Sequence, residues 1–413
     1  MKIAIDARWI FPEISGIGVY TRELIKHLAL LDRKNSYILF FDNASIRDRT
    51  VVEANLHDVQ NFVIKLLPYG VFSIRNQIFL PAVLRRNNVN IFHSTNYMIP
   101  LLAFPRYKRG TIKCVTTVHD VIPMIFPGHA PRAKKARLYP IYRRIMIEVG
   151  ARSDAVIADS RASRADVIKH LRIPASFENK VRAVYCGVSE RFCPPGPEVS
   201  RRHASAMADQ GGQGSAAFAE ASAAKEVRKG RGRAKTVLYA GRIDPYKNLT
   251  TLIKAFAEAL EVSPFPISLT VAGSPDPRYP EVVRLAAELG IERAVNWTGY
   301  LSDEELISAY QHADLLVHPS RYEGFGLQVV EAMACGVPVI CSNTGSLPEV
   351  AGNAAIMLDP DDIHGFAEKI REVLANRALA EEMSQKGIHQ AAKFTWCRTA
   401  QETLAIYEET AAE

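Results

Sequence analysis

The sequence predicts an α/β chain of two doubly wound domains, and three observations predict it. Short apolar runs alternate with longer segments of helical period, the pattern of helices covering a mostly parallel sheet. The 413 residues exceed what one hydrophobic core organises, which makes two domains the default. Between the two alternating halves lies a stretch, residues 196–234, rich in Ala, Gly, Ser and charge, with Phe218 its one aromatic. Such a segment buries too little apolar surface to order itself and reads as a disordered insertion at the boundary. The expected division is therefore a first domain over 1–195, the insertion over 196–234, a second domain over 235–395 and a final segment over 396–413.

Taken in order, the first half gives strands at Lys2–Asp6, Tyr37–Phe41, Phe62–Leu67, Asn90–Ser94, Cys114–His119, Ala155–Asp159 and Val181–Tyr185. Helices fall between them, as at Val19–Leu31, where Leu24, Leu28 and Leu31 recur at helical spacing. The second half gives strands at Val237–Ala240, Ser268–Ala272, Asn296–Thr298, Leu315–His318 and Val337–Cys341. Its helices are expected at Leu249–Ala259, Pro280–Leu289, Asp303–His312, Leu327–Ala334, Ile363–Leu374 and Leu379–Ala392.

Composition narrows the function classes. Hydrophobic residues are 48% and charged residues 23% of the chain, a mix that excludes a disordered or fibrous protein. No apolar run reaches the roughly 18 residues of a spanning helix. Arg8 directly follows Lys2–Asp6, which is not the apolar core of a signal peptide. Cys114, Cys186, Cys193, Cys335, Cys341 and Cys397 are scattered without a C-x-x-C pair. Neither a disulfide framework nor a zinc knuckle is expected, and a cytoplasmic setting is.

The net charge is +7, and more than half of it falls within 201–234, where seven Lys and Arg meet three Asp and Glu. A second concentration is Arg132, Lys134, Lys135, Arg137, Arg143 and Arg144, with no acid until Glu148. Two readings stay open. One is a solvated helix face. The other is a patch for anionic lipid headgroups at the inner face of the plasma membrane, with Leu138, Ile141, Tyr142, Ile145 and Met146 as its apolar side. Nucleic acid is not an expected partner, because no recognition module surrounds the cluster.

The most informative stretch is Arg321–Pro338. A strand ends at Pro319–Ser320, a loop carries Gly324 and Gly326, and a helix begins near Leu327. That order sets backbone N–H groups and a positive helix terminus at the carboxyl edge of a parallel sheet, where phosphate-bearing ligands bind. The two glycines allow close backbone approach to a phosphate. Glu323 suits hydrogen bonds from sugar hydroxyls, and Glu331, one to two turns into the helix, suits the paired hydroxyls of a ribose. Ala240–Lys247 follows another strand directly, and its Arg242 and Lys247 suit a diphosphate and the charge that builds on a departing nucleotide. His119, in Val118–Pro123 at a strand end, is either a packed histidine or a contact to a substrate hydroxyl. Ile14–Tyr20 adds a glycine loop that opens the first helix.

Some features read as structural. Asp359-Pro360-Asp361 ends a strand and caps the helix starting near Ile363 rather than holding a metal. His93 and Ser94 read as packing, and Asp159-Ser160-Arg161 as a helix N-cap. There is no G-x-S-x-G elbow, H-E-x-x-H pair or phosphate-loop consensus, which removes the hydrolase, zinc-protease and P-loop readings.

Glu323 and Glu331 in E-x7-E spacing, with Gly324-Phe325-Gly326-Leu327, the Ala240-Gly241-Arg242 to Lys247 cluster, the His119-Asp120 to Pro123 box and the Ser15–Tyr20 loop, resemble the retaining GT-B glycosyltransferases of family 4, the glycosyl transferases group 1. The opening Ile5-Asp6-Ala7-Arg8-Trp9 and the box at Val118–Pro123 look most like bacterial mannosyltransferases that build O-antigen. The resemblance spans nearly the whole chain apart from 196–234, an insertion that departs from the family's short linker. It implies two Rossmann-like domains facing a central cleft, with the donor bound mainly by the second and the C-terminal helix, near Trp396–Thr410, crossing back onto the first.

By the same resemblance Arg242 and Lys247 hold the diphosphate, Glu331 the ribose and Glu323 the sugar. The amides of Phe325–Leu327 lie near the phosphates and sugar, and Gly299-Tyr300 begins the loop that contacts the base. Gly16 and Gly18 line the donor–acceptor junction, and His119 contacts the sugar. The implied reaction is transfer of a hexose, mannose from GDP-mannose, to a hydroxyl of a glycan or lipid-linked acceptor in surface polysaccharide synthesis. No metal or other cofactor is expected. A UDP- or ADP-sugar donor, and a non-catalytic nucleotide-sugar-binding scaffold, are the alternatives.

Overall fold

The computed structural model describes residues 1–12, 16–108, 110–127, 138–195 and 234–412, which form two compact units. One unit is Met1–Gly187 with Phe394–Glu413; the other is Val188–Lys393. The 196–234 insertion except its last residue, the basic residues Arg132, Lys134, Lys135 and Arg137, and Ile14 and Ser15 lie outside the described residues.

The first unit is built on seven parallel strands: β1 (Lys2–Asp6), β2 (Ser36–Phe41), β3 (Phe62–Leu66), β4 (Ile91–Ser94), β5 (Lys113–Val118), β6 (Ala155–Ala158) and β7 (Val181–Ala183). Their spatial order is β3-β2-β1-β4-β5-β6-β7, so the winding reverses between β1 and β4. Side chains alternate across each strand. Ala4, Ile38, Phe40, Phe92 and Cys114 thus share one face and pack with Leu80, Leu84 and Val149 from the helices Ile74–Arg86 and Tyr139–Arg152. The helix Trp396–Ala412 packs on the first helix, Gly16–Leu31. The buried Tyr407 hydroxyl meets His93 Nδ1 at 2.6 Å, and Trp396 lies edge-on to Tyr20 at 6.0 Å.

The second unit holds six parallel strands: β8 (Lys235–Ala240), β9 (Ile267–Ala272), β10 (Val295–Gly299), β11 (Leu315–His318), β12 (Val339–Ser342) and β13 (Ala355–Leu358). The order β10-β9-β8-β11-β12-β13 puts its reversal between β8 and β11. Val237, Tyr239, Leu269, Val271, Leu315 and Val317 line one face, covered by Leu252 and Phe256 of helix Leu249–Glu261 and by Phe366 and Ile370 of helix Ile363–Ala375.

Boundaries depart from the sequence reading where local chemistry decides. β12 begins at Val339 because Pro338 has no N–H for the ladder, though its carbonyl accepts from Leu316. β13 is the strand expected to end at Asp359, though no bounds were given for it; it is a half-buried edge strand with a short apolar run. The helix at Ile363 is capped by Asp362, whose carboxylate accepts the Gly365 N–H at 2.8 Å, and not by Asp359 or Asp361. Asp303–His312 falls where expected, fixed by a capping box in which Ser302 and Glu305 satisfy each other's amides.

Candidate active site

Because β8 and β11 pair in register, the loops that leave them start side by side. The β8 loop runs through Gly241 and Arg242 to Lys247, and the β11 loop runs through Glu323 to Gly326. Backbone and side-chain bonds lace the two loops together. Arg321 N–H donates to the Tyr246 carbonyl at 2.8 Å, and Asn248 Nδ2 donates to the Pro319 carbonyl at 3.2 Å. Ser346 Oγ donates to the carbonyls of Glu323 and Phe325 at 3.0 and 2.8 Å.

This lacing brings Lys247 and Glu323 together. Lys247 Nζ donates to both Glu323 oxygens, at 2.7 and 2.8 Å, and both side chains are buried. His318, the last residue of β11 and fully buried, places Nε2 2.8 Å from Glu323 Oε1 and stacks on Tyr239 of the neighbouring strand. Burial alone favours a neutral Glu323, but Lys247 and His318 outweigh it and hold the carboxyl far below its ordinary range. Burial likewise works to lower the Lys247 ammonium, and Glu323 outweighs it and raises it. The sequence reading gave Lys247 to a phosphate and Glu323 to a sugar as separate contacts. In the structure the two side chains also meet each other, in one buried cluster with His318.

Arg242 stands apart from that cluster. Its side chain is 75% exposed, with Nη2 3.1 Å from Asp244 Oδ2 and 3.2 Å from the Tyr246 hydroxyl. Behind it the backbones of the β8 and β9 loops approach closely: a Cβ on Gly273 would sit 2.0 Å from the Gly241 carbonyl oxygen, so only glycine fits there. Gly299 ends β10, and Tyr300 follows it half-exposed.

Gly326 caps the helix Leu327–Ala334 with a left-handed φ of +96°, and a Cβ there would lie 2.7 Å from Leu347 Cδ2. The turn carries the chain from Gly324 and the buried Phe325 into the helix, whose first N–H groups have no partner within it. Glu331, in that helix, accepts from the Tyr310 hydroxyl at 2.9 Å. Burial pushes its carboxyl up to about 7, with Asp303 adding to the rise and Tyr310 opposing it.

The remaining candidates belong to the first unit. Val118 of β5 faces Ala158 of β6 in register, so the next residues, His119 and Asp159, emerge together just past both strands. His119 Nδ1 lies 2.7 Å from Asp159 Oδ2, and Nε2 lies 2.9 Å from the Thr95 carbonyl. A carbonyl only accepts, so Nε2 carries a proton. Burial works against a charged His119, and Asp159 and the Thr95 carbonyl outweigh it and raise its pKa. Both nitrogens of His119 are thus bonded within the protein, which fits the packed reading and leaves a contact to substrate as a proposal. His93 is packed as expected: Nε2 is 2.8 Å from Thr117 Oγ1, and burial, with His119 nearby, pushes its pKa down to about 3. Gly16 and Gly18 lie in the first helical turn, the former exposed and the latter buried.

Sequence reasoning missed His318, Tyr310, Asp159 as the partner of His119, and a fully buried Asp6–Arg8 pair at 2.7 Å. The signal for Asp6 and Arg8 was present, since two opposite charges two residues apart at a strand's end need each other when buried.

Comparison with known proteins gives the same picture from outside. Residues 14–192 match the family described as Glycosyltransferase Family 4, and residues 222–390 match Glycosyl transferases group 1. The chain is 26% identical over 424 residues to the O-antigen chain mannosyltransferase B of Escherichia coli, covering 99% of this chain and 100% of that one. It is 29% identical over 291 residues to the serotype-specific mannosyltransferase WbdA of Escherichia coli, covering 70% of this chain but 32% of WbdA. Among solved structures, Anabaena HepE in complex with UDP and glucose superposes with a TM-score of 0.69 at 17% identity, over 99% of this chain and 100% of that one. Two parallel-sheet α/β units of this kind are the GT-B fold.

Proposed function

Because this chain is a glycosyltransferase, belonging to the family that joins a Glycosyltransferase Family 4 domain to a Glycosyl transferases group 1 domain, we propose that it transfers mannose from GDP-mannose to a hydroxyl of a glycan or lipid-linked acceptor, with retention at the anomeric carbon. The observation that carries the proposal is the buried Lys247–Glu323–His318 cluster at the carboxyl edge of β8 and β11, on the loops that also hold Arg242 and Gly326. The two mannosyltransferase relatives support the choice of sugar.

In this reading Arg242 and the amides at the start of helix Leu327–Ala334 receive the diphosphate. Lys247 has three N–H donors, two of them on Glu323, and contributes positive charge beside the same loop. Glu323, kept ionised and oriented by Lys247 and His318, accepts from sugar hydroxyls, and Glu331 accepts from the ribose. Gly299-Tyr300 borders the base. His119, charged and fixed by Asp159, acts from the first unit as an oriented positive group beside the sugar, and Gly16 and Gly18 line the acceptor side.

As the bond from the anomeric carbon to phosphate breaks, the acceptor oxygen bonds to the same face of that carbon and its proton passes to the departing phosphate oxygen. The cationic side chains lower the barrier by stabilising the charge that develops on the diphosphate. The reaction calls for no metal in this scheme.

Thermal unfolding with GDP, UDP and ADP in turn tests the donor. A nucleotide at about 100 times its Kd adds about 2.7 kcal/mol to the native state. Selective stabilisation by GDP, followed by mannosyl transfer whose product keeps the donor's anomeric configuration by NMR, is the expected result. A response to UDP alone would replace GDP-mannose with a UDP-sugar, a second reading that the UDP-bound HepE structure favours. A response to none of the three would leave a non-catalytic scaffold.

A further inference from the structure

We propose that the first unit carries a docking face for an anionic lipid bilayer, centred on the outward side of helix Ile74–Arg86 and the turn Leu101–Ala103. The helix is apolar on two sides. Asn76, Leu80, Pro81 and Leu84 are buried toward the sheet, while Ile74, Ile78 and Phe79 face out. A helix that is hydrophobic all round normally has both sides covered. Phe72 just before it, Leu102 on the turn, and Leu138 and Ile141 near the start of helix Tyr139–Arg152 extend the same exposed surface. These seven side chains are between 52% and 80% exposed.

The elements that carry them are fastened to one another. Gln77 Nε2 donates to the Ile99 carbonyl at 2.9 Å and its Oε1 accepts from Leu101 N–H at 2.8 Å, tying the helix to the turn. Arg152 Nη1 donates to the carbonyls of Leu101 and Phe104 at 3.0 and 2.6 Å, tying in the helix Tyr139–Arg152. Tyr97 bridges the two ends, 6.5 Å from the Phe72 ring and 5.4 Å from that of Tyr142.

Charge identifies the occupant. Between Asp58 and Glu148 the chain carries fourteen Lys and Arg and a single acid, Asp120. The whole chain is only +7, so the remainder is net acidic, and outside the basic stretch 201–234 the positive charge is concentrated in the segment that builds this face. Arg75, Arg143 and Arg144 are exposed beside the apolar side chains, and Glu148 is buried among Arg152, Arg106 and Arg144. An apolar surface with exposed Arg75, Arg143 and Arg144 beside it, and the half-buried Asp120 near Tyr97 and Tyr142 as the one acid of the segment, matches the acyl boundary and the headgroups of an anionic membrane together. The face takes in Leu138, Ile141, Arg143 and Arg144 of the basic patch read from the sequence, whose Met146 is buried, and adds Phe72, the helix Ile74–Arg86 and Leu102 to it; it stands independently of which donor the enzyme uses.

The test is flotation of the full-length protein with vesicles of phosphatidylcholine alone and of phosphatidylcholine mixed with phosphatidylglycerol. Binding to the mixed vesicles only, weakening as salt rises, is expected. Ile78→Ser with Phe79→Ser, and separately Arg75→Glu with Arg143→Glu, should each lower partitioning at least roughly tenfold while GDP stabilisation and the unfolding temperature stay at wild-type values. No binding to either vesicle, or binding that neither double variant weakens, overturns the proposal. Light scattering supplies a second readout: a wild-type dimer that the Ile78→Ser, Phe79→Ser variant turns into a monomer would assign the face to a second copy of this chain instead.

Discussion

Lys247 and Glu323, 76 residues apart in the chain, form a two-oxygen ion pair at 2.7 and 2.8 Å that is buried from solvent and shared with His318. A buried pair of this kind is costly to break from one side. Lys247→Met leaves an ionised carboxylate without its cation and is expected to cost about 3–5 kcal/mol of stability. Lys247→Met with Glu323→Gln should recover most of that loss, since Gln still bonds His318 without carrying charge. Both variants should lose about 10²–10³ in turnover, because the charge stabilisation is absent in each. Urea unfolding and sugar-transfer rates check the two halves separately. Wild-type turnover in Lys247→Met would end its assignment to the reaction.

Glu331 should make stability depend on pH in an unusual direction. Its folded pKa is raised to about 7, so the folded state holds a proton that the unfolded chain releases. Stability therefore falls as pH rises from the unfolded carboxylate value of about 4.3 through about 7, with a slope of at most about 1.4 kcal/mol per pH unit. Glu331→Gln should flatten that window in urea unfolding, and Tyr310→Phe, which removes the opposing hydrogen bond, should extend it upward. Nucleotide affinity should rise over the same range as the carboxylate ionises to accept ribose hydroxyls. An affinity independent of pH in the wild type would separate Glu331 from the ribose.

The His119–Asp159 pair predicts the same direction of loss over a higher pH window. A histidine pKa raised by folding contributes stability that is complete below the unfolded value of about 6.5 and lost as pH rises through the folded value. Asp159→Asn should thus destabilise the protein on the acid side of about pH 6.5 and progressively less above it. NMR titration of His119 should show its proton held to higher pH than in a model peptide, and released at lower pH in the variant. A His119 that titrates identically in both proteins would contradict the pairing.

Gly326 links backbone strain to the proposed phosphate side of the site. Gly326→Ala meets both a φ of +96° and the Leu347 methyl at 2.7 Å, for an expected loss of about 1–3 kcal/mol. Adding Leu347→Ala relieves the clash but not the left-handed backbone, so thermal unfolding should show only part of the gap between Gly326→Ala and the matched Leu347→Ala protein closing.

Removing metals should not slow the reaction. Arg242, Lys247 and the helix amides supply the positive charge in the proposed scheme, so excess EDTA is expected to leave sugar transfer unchanged. A loss that added Mg²⁺ restores would overturn it.

Much of the fold was legible because the periodic segments were long and punctuated. Asp303–His312 and Leu327–Ala334 stand where their caps and apolar spacing put them, while β13 showed only its end at Asp359, because four half-buried residues at a sheet edge carry no period. The site was legible as a set of charged residues at strand ends and not as a set of partnerships. Glu323 and Lys247 could be named from their loops, but which atoms meet depends on β8 and β11 being neighbours, and a sequence does not state strand order. His318 was hidden for a related reason: a histidine at the end of an apolar strand has the pattern of a packed residue. Tyr310 lies 21 residues before Glu331 on a different helix, beyond any local spacing rule.

The helix Trp396–Ala412 belongs to the first unit, although the whole second unit is translated before it. On a ribosome, β8 through β13 emerge as an uninterrupted block and can close their sheet while the earlier seven strands still wait for Tyr407 to seal the fully buried His93. The half of the protein made first is therefore the half finished last. A message cut short ahead of residue 396 would yield a sound second unit joined to an unfinished first one, a product that degradation machinery would recognise by its open sheet.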